Sequence, residues 1–400
     1  TGGDFDCNPF NVISDPGEKS LSEISSLAGN IFFTTYSPEG GCAMGHSYFY
    51  GIQISDDISI VGESANDTII DGNMLNRVFV IGDDSLPIIQ VSLSDLTIKN
   101  GNFFGNGGAI YSWYSNVIIT NVVMSENIAR YGGALNNAES SALTILDSTF
   151  YNNQASAWGG AISVPRGEVT ISGCTISNNI AIDGGGIAHH PNTGLAELFI
   201  INTTISGNIA ENAGAISSVR SPIPLSIISS TLANNSGGGL RVSDELFLQG
   251  TILHNNLPGN CIASTGQISS LGNNLDSDNS CNLNGINDLV NLDPLLGPLQ
   301  DNGGPTNTHE LLEGSPAIDA GQPNCTDVSG QPLLSDQRGE PRPVDGNNDG
   351  QAACDLGAYE AQVAITTIEV DIKPGRQPNS INPRSKGLIA VAILTSEDFD

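Results

Sequence analysis

The amino-acid sequence predicts an all-β protein, a right-handed single-stranded parallel β-helix (a solenoid of strands). Three observations carry this expectation. One motif keeps returning: "GGALNNAESSALTILDSTFYNNQA" is followed by "GGAISVPRGEVTISGCTISNNIA", then by "GGGIAHHPNTGLAELFIINTTISGNIA". Aligned, the repeats give apolar columns. One runs Val91, Val117, Leu143, Val169, Leu198, Leu225, Leu246, and two residues later come Leu93, Ile119, Ile145, Ile171, Ile200, Ile227, Leu248. A third column is Ile98, Met124, Phe150, Ile176, Ile205, Leu232, Leu253. Finally, each repeat consists of short alternating runs broken by Asn, Gly or Ser, without the 3.6-residue period of a helix. No repeat buries its apolar side alone, whereas stacked repeats share one core. The right hand follows from the rule for parallel crossovers.

Residues 1–50 are expected to form an N-terminal cap. The run "EKSLSEISSLAGN" places Leu21, Ile24 and Leu27 on one helical face, suited to covering the open end of the core. Residues 51–300 are the β-helix. Between the second and third apolar columns lies an inward slot of Leu96, Val122, Ser148, Cys174, Thr203, Ser230 and Thr251. Cys174 is therefore read as a buried thiol that acts as a small hydrophobe. The asparagines 127, 153, 179, 208, 235 and 256 fall at the turn ending the third strand, where stacked amides can hydrogen-bond along the axis. Gly107-Gly108, Gly132-Gly133, Gly159-Gly160 and Gly184-Gly185 make tight corners before the next strand. Residues 301–362 are expected as a C-terminal cap, and 363–400 as the start of a truncated small β-module. Opening at "TGGDFDC" and stopping at "LTSEDFD", the chain reads as a processed or truncated piece.

Composition narrows the partners. Thirteen basic against forty-three acidic residues in 400 give a formal charge of −30. Nucleic acid and anionic membrane are excluded by that balance, since both demand clustered Lys and Arg. No apolar run approaches the ~20 residues that span a bilayer. Seven cysteines point to an oxidising compartment. Pairing neighbours in order would join Cys7–Cys42, Cys261–Cys281 and Cys325–Cys354, leaving Cys174 single; sequence alone does not settle the pairing.

The strongest local chemical motif is "DGNNDGQAACD". Asp345, Asn347 and Asp349 at alternate positions, with Gly350 for the turn, copy the opening of a calcium loop. The Gln351 carbonyl would follow at position seven and Asp355 is a late carboxylate, while Leu356 stands where the bidentate Glu belongs. Ca²⁺ of extracellular-type affinity and a plain Asx-rich turn are both open.

"GGAI" and "FYNN" resemble the paired signatures of chlamydial polymorphic outer-membrane protein repeats. The run "GNNLDSDNSCNLNG…DPLLGPLQDNGGPTNTHELLEGSPAIDAG…DQRGEPRPVDGNNDGQAACDLGAYE" resembles the C-terminal half of choice-of-anchor bacterial surface proteins, and "EVDIKPGRQPNSINPRSKGLIAVAILTSEDFD" a small β-module appended to secreted prokaryotic proteins. The resemblance implies an exported cell-surface protein whose β-helix, of the pectate-lyase-like superfamily, is a spacer or adhesive stalk.

Catalysis is the rival reading. A polysaccharide lyase needs a base beside carboxylates or Ca²⁺, and a glycoside hydrolase needs paired carboxylates from adjacent coils. The repeats offer scattered cations (Lys99, Arg130, Arg166, Arg220, Arg241) and few outward acids (Glu126, Asp147, Glu168, Asp183, Glu197). Asp183 with His189 and His190 is the nearest thing to a constellation, and turn residues at a bend explain it better. Surface aromatics suggest carbohydrate binding instead: Tyr131 and Trp158 precede Gly-Gly in successive repeats, with Trp113 in the repeat before. The expectation is thus an extracellular or cell-surface structural or adhesive protein without catalytic activity. Its expected partners are a cell-surface or extracellular-matrix polysaccharide, or other copies of itself.

Overall fold

In a computed structural model of the protein, the described residues are 51–362, apart from 83–87, 140, 192–195, 222 and 263–264, together with strand residues 31–32, 369–371 and 392–394. The expected N-terminal helix around Leu21, Ile24 and Leu27, and Cys7 and Cys42, lie outside them, as does most of the 363–400 module. The chain divides into a unit of residues 1–361 and a unit of residues 362–400. In the second, Glu369–Asp371 pairs antiparallel with Ala392–Leu394.

The first unit is a parallel β-helix, as the repeats predict. The central coils each contribute two consecutive strands, or one long strand at Ile89–Lys99 and Ser115–Ser125, to an 18-stranded sheet and one strand to an 8-stranded sheet. The aligned apolar columns are the ladder registers themselves. Val117 pairs with Leu143, Leu143 with Val169, Val169 with Leu198, and so on to Leu246. Phe150 likewise pairs with Met124 and Ile176. All three columns are inward and almost wholly buried. Strand spacing of ~4.8 Å stacks like upon like, so each column is a continuous apolar rod.

Corners need their own chemistry. Gly159 has φ of +67°, and a Cβ there would come 2.2 Å from Ile162 O; at Gly160 a Cβ would meet Gly185 O at 2.1 Å. Only glycine fits both positions. In a later coil Ala213 takes the same left-handed conformation at the equivalent corner.

The polar slots are filled by ladders. Asn127 Nδ2 donates to Asn153 Oδ1 at 3.0 Å, Asn153 to Asn179 at 3.0 Å, Asn179 to Asn208 at 2.9 Å, Asn208 to Asn235 at 3.0 Å and Asn235 to Asn256 at 2.7 Å. The same nitrogens also donate to a core-strand carbonyl of the previous coil, Asn179 to Phe150 O at 3.0 Å for example. Cys174 is fully buried in its slot, where its thiol points at Ser172 O (3.2 Å). Ser148, Thr203 and Ser230 bond the carbonyl two residues back in the same way. The cysteine thus stands in for a hydroxyl.

Residues 294–361 run back along the outer face of the solenoid. Gln337 is the fastening. It accepts from Thr204 Oγ1 (2.7 Å) and donates to Thr175 Oγ1 (3.0 Å) and Thr306 Oγ1 (2.9 Å). Ser206 bonds His309, Gln249 bonds Thr326 O, and Ala358 N bonds Thr231 Oγ1. Outward threonines 175, 204 and 231 are consequently buried. The run "DQRGEPRP…DLGAYE" supplies the segment's own core. Arg338 pairs with Asp336 at 2.7 Å and stacks over Tyr359 at 3.6 Å, while Arg342 meets Glu360 at 3.2 Å. Among the described residues two disulfides form, Cys261–Cys281 and Cys325–Cys354, and Cys174 is free. Among the described residues no helix is long and apolar enough to cross a membrane.

Candidate functional site

Outward side chains of the 8-stranded sheet form one column, Tyr111, Asn136, Ser163, Ala188, Ser217 and Arg241, paired in register from coil to coil. Alternation points them away from the core, since Ile162 and Val164 flank Ser163 on the inside. Yet Asn136 is 1% exposed, Ser163 4%, Ala188 0% and Ser217 0%. They are the floor of a crease. The wall is the column just before the glycine corner, in which Asn106, Tyr131, Trp158, Asp183 and Asn212 pair in turn. The tight Gly-Gly bend sets the floor residue a few positions after the wall residue in every coil, close enough for wall side chains to lean over the floor.

Tyr131 and Trp158 therefore sit one coil apart, with ring centroids 4.9 Å apart and planes inclined by 46°. Trp158 continues to His190 in an edge contact at 5.2 Å. Arg130 lies over Tyr131 at 5.0 Å. Both aromatic residues remain partly exposed. Trp113 belongs to a separate cluster with Tyr111 (6.0 Å) and Tyr114 (5.8 Å). Its indole N–H donates to Gly82 O at 2.7 Å.

The suspected Asp-His-His constellation is split. His189 points inward and bonds Ser218 Oγ (2.9 Å) and Ala196 O (3.0 Å), whereas His190 reaches the crease and bonds Ser217 Oγ (3.0 Å). Burial lowers both imidazoles to about 4, with neighbouring cations adding to the effect at His190. Both are neutral at physiological pH. Asp183 is not an outward acid; it is buried, and its Oδ2 takes the Arg241 guanidinium at 2.9 Å. Burial raises its carboxyl, opposed by the Ser217 hydroxyl and Arg241. Asp183 Oδ2 approaches the same His190 nitrogen that bonds Ser217, at 3.8 Å. A carboxylate that orients an imidazole for proton transfer must hold the nitrogen opposite the nucleophile. Asp183 does not.

Sequence reasoning missed Asn136, Ser163, Ser217 and the pairing of Arg241. A signal was present: a floor residue falls three positions after the second corner glycine, as Ser163 follows Gly160 and Ser217 follows Gly214. Only the bend reveals that this outward position is covered.

The loop with the calcium-like motif lies on the 294–361 segment. Asp345 Oδ1 and Oδ2 accept Asp349 N (3.0 Å) and Gly350 N (2.8 Å), Asn347 Oδ1 accepts Asp349 N (2.9 Å), and Asp349 Oδ1 accepts Gln351 N (2.8 Å). Asp355 is turned away from them, its carboxylate accepting Asp319 N and Ala361 N. Among the described residues no group of three His, Cys, Asp or Glu side chains is arranged to hold a metal ion. Elsewhere, a shallow depression of about 370 Å³ is lined by Asp57, Ser59, Gln90, Ser92, Asn116 and Ile118, with one carboxylate and no base.

Residues 147–165 match the Chlamydia polymorphic membrane protein (Chlamydia_PMP) repeat. The solenoid carries a repeat of that kind. The matched stretch includes Phe150, Asn153, Trp158 and the glycine corner, so the motif is the coil's structural signature. The metabotropic glutamate receptor-like protein R of Dictyostelium discoideum is 33% identical over 139 residues, which are 33% of this chain and 8% of that protein. The match thus spans less than a tenth of that curated relative's length. No solved structure matches the chain.

Proposed function

We propose that the protein is a structural, adhesive β-helix displayed at a cell surface or outside the cell, of the choice-of-anchor type, and that it holds its partner without catalysis. One observation carries this reading. The repeated polar positions are spent on continuity, in amide and hydroxyl ladders that run from coil to coil, and the match to a polymorphic membrane protein repeat coincides with those positions. The titratable groups nearest to a constellation are held neutral or paired with Arg241, which suits a binding surface better than a proton-transfer site. The partner class is an extracellular polysaccharide or a second copy of the chain. For the loop at Asp345, Asn347, Asp349 and the Gln351 carbonyl we propose weak Ca²⁺ binding that tightens the 294–361 segment.

The test incubates the protein with immobilised β-glucan, mannan and polygalacturonate. Retention, new reducing ends and unsaturated uronate absorbance are all measured. Retention or self-association without cleavage is expected. Cleavage of any polymer would move the protein to the lyases or hydrolases; neither retention nor self-association would leave only a spacer.

A further inference from the structure

We propose that the crease binds a neutral glycan chain laid along the solenoid axis, with Trp158 and Tyr131 as stacking rings and the Arg241 guanidinium as hydrogen-bond donor. The proposal rests on the adhesive reading above and gives it a site and a ligand class.

Shape is the first reason. The floor is made of small or short side chains, Asn136, Ser163, Ala188 and Ser217, directly beside a wall that carries Tyr131 and Trp158 in consecutive coils. Successive coils are ~4.8 Å apart, about the length of one pyranose. A linear glycan can therefore place successive sugars against Tyr131 and Trp158. Pyranoses with equatorial hydroxyls present a face of C–H bonds, which pack on an aromatic ring, and an edge of hydroxyls, which seek donors and acceptors. Tyr and Trp combine these needs, each having an apolar body with a polar tip.

Unused hydrogen-bonding capacity is the second reason. Asn136 Oδ1, on the floor one coil from Trp158, is buried without a hydrogen-bond partner. A buried acceptor left without a donor is costly, and a hydroxyl-rich chain supplies donors through a bridging water. Arg241 closes one end, with its side chain one-third exposed (33%) and its position set by Asp183. A guanidinium has donors beyond the one given to a single carboxylate oxygen.

Charge decides the class. Arg241 is balanced by Asp183, His190 is neutral, and the chain carries −30 overall. Arg130 over Tyr131 adds a lone cation beside the crease, and against the surplus of acidic groups on the chain it is too little to hold a uronate or sulfated chain, so a neutral polymer is favoured.

Cellohexaose, laminarihexaose and hexagalacturonate are the probes, titrated calorimetrically into the whole protein. A neutral hexasaccharide should bind saturably, and hexagalacturonate more weakly. Trp158→Ala should weaken binding about tenfold or more, the scale of an aromatic anchor, with its melting temperature recorded to show that it is folded. Tyr131→Phe, which keeps the ring, should bind nearly as wild type. Equal affinity for Trp158→Ala and wild type overturns the crease as the site, while leaving the adhesive reading intact. Preference for hexagalacturonate overturns the neutral class. Absence of binding to every probe, in a protein still retained on an immobilised polymer or on its own copies, sinks this inference alone.

Discussion

Asn260 Nδ2 lies 2.8 Å from Asp276 Oδ1, and with that bond a chain of amides that starts at Asn127 comes to its end. The ladder has a direction. Each amide passes its N–H toward the C-terminal coils and accepts from the coil before, with Gly101 N donating into Asn127 Oδ1 at the start. A directional ladder must close on a group that only accepts. Asp276 is that group, and its second oxygen takes Cys281 N at 2.9 Å, next to a disulfide.

Interrupting the ladder should therefore cost more in the middle than at the end. In Asn179→Asp the carboxylate can no longer donate to Asn208 Oδ1 or Phe150 O, so two buried acceptors each lose a bond, Asn208 Oδ1 keeping the Asn179 backbone N–H, and a buried carboxylate faces both. At about 1–3 kcal/mol for each, the loss is several kcal/mol. Asp276→Asn still accepts from Asn260 and sacrifices only the bond from Cys281 N, about 1–2 kcal/mol. Denaturant unfolding of the two variants compares them directly, and equal destabilisation would contradict a directional ladder.

Burial pushes the Cys174 thiol up to about 12. The thiolate is the nucleophile, so thiol reagents should leave the folded protein unlabelled at about pH 8 and label it stoichiometrically in denaturant. Cys174→Ser should fold with stability within about 1 kcal/mol of wild type, because serine or threonine fills the same slot in other coils. Rapid native labelling would place the residue elsewhere.

Stability should peak in mildly acidic solution. Burial and the adjacent Glu360 push the Asp355 carboxyl up to about 8. The folded chain then keeps a proton that the unfolded chain releases, so stability falls as pH rises from about 4 to about 8. His189 and His190 act oppositely. Their lowered values, about 4, mean that the unfolded chain binds protons first, and stability is lost as pH falls from the ordinary 6.5 toward 4. Limited proteolysis across roughly pH 4–9 should cut the 319–361 stretch faster at about pH 8.5 than at about pH 6. A flat profile would show that Asp355 is ionised in the fold.

For the loop at 345–351, a weak calcium effect is expected, because its carboxylates already accept backbone N–H groups and Asp355 is committed elsewhere. Reducing Cys325–Cys354 should accelerate cleavage between Pro341 and Asp355 more than EDTA does, since a disulfide closing such a loop contributes ~2–4 kcal/mol. A larger effect of EDTA, reversed by calcium, would make the loop a strong ion site and not the weak one proposed.

The coil is legible in the amino-acid sequence because its determinants repeat. Leu143 and Val169 share a column whose members meet at one strand spacing, so alignment of "LTIL" with "VTIS" already states a contact. The asparagine column and the inward Cys174 slot are legible for the same reason, periodicity translating directly into register. Nothing repeats in the segment that Gln337 fastens. Its hydroxyl partners Thr175 and Thr204 lie 162 and 133 residues away, and no pattern links them. The crease is intermediate: Tyr131 and Trp158 are marked by their shared position before Gly-Gly, but Ser217, Arg241 and the buried state of Asp183 are not. Alternation says only whether a side chain points in or out. Whether an outward side chain meets water depends on the angle at the corner, and that angle is decided by the glycine backbone packing of neighbouring coils, which tertiary structure alone supplies.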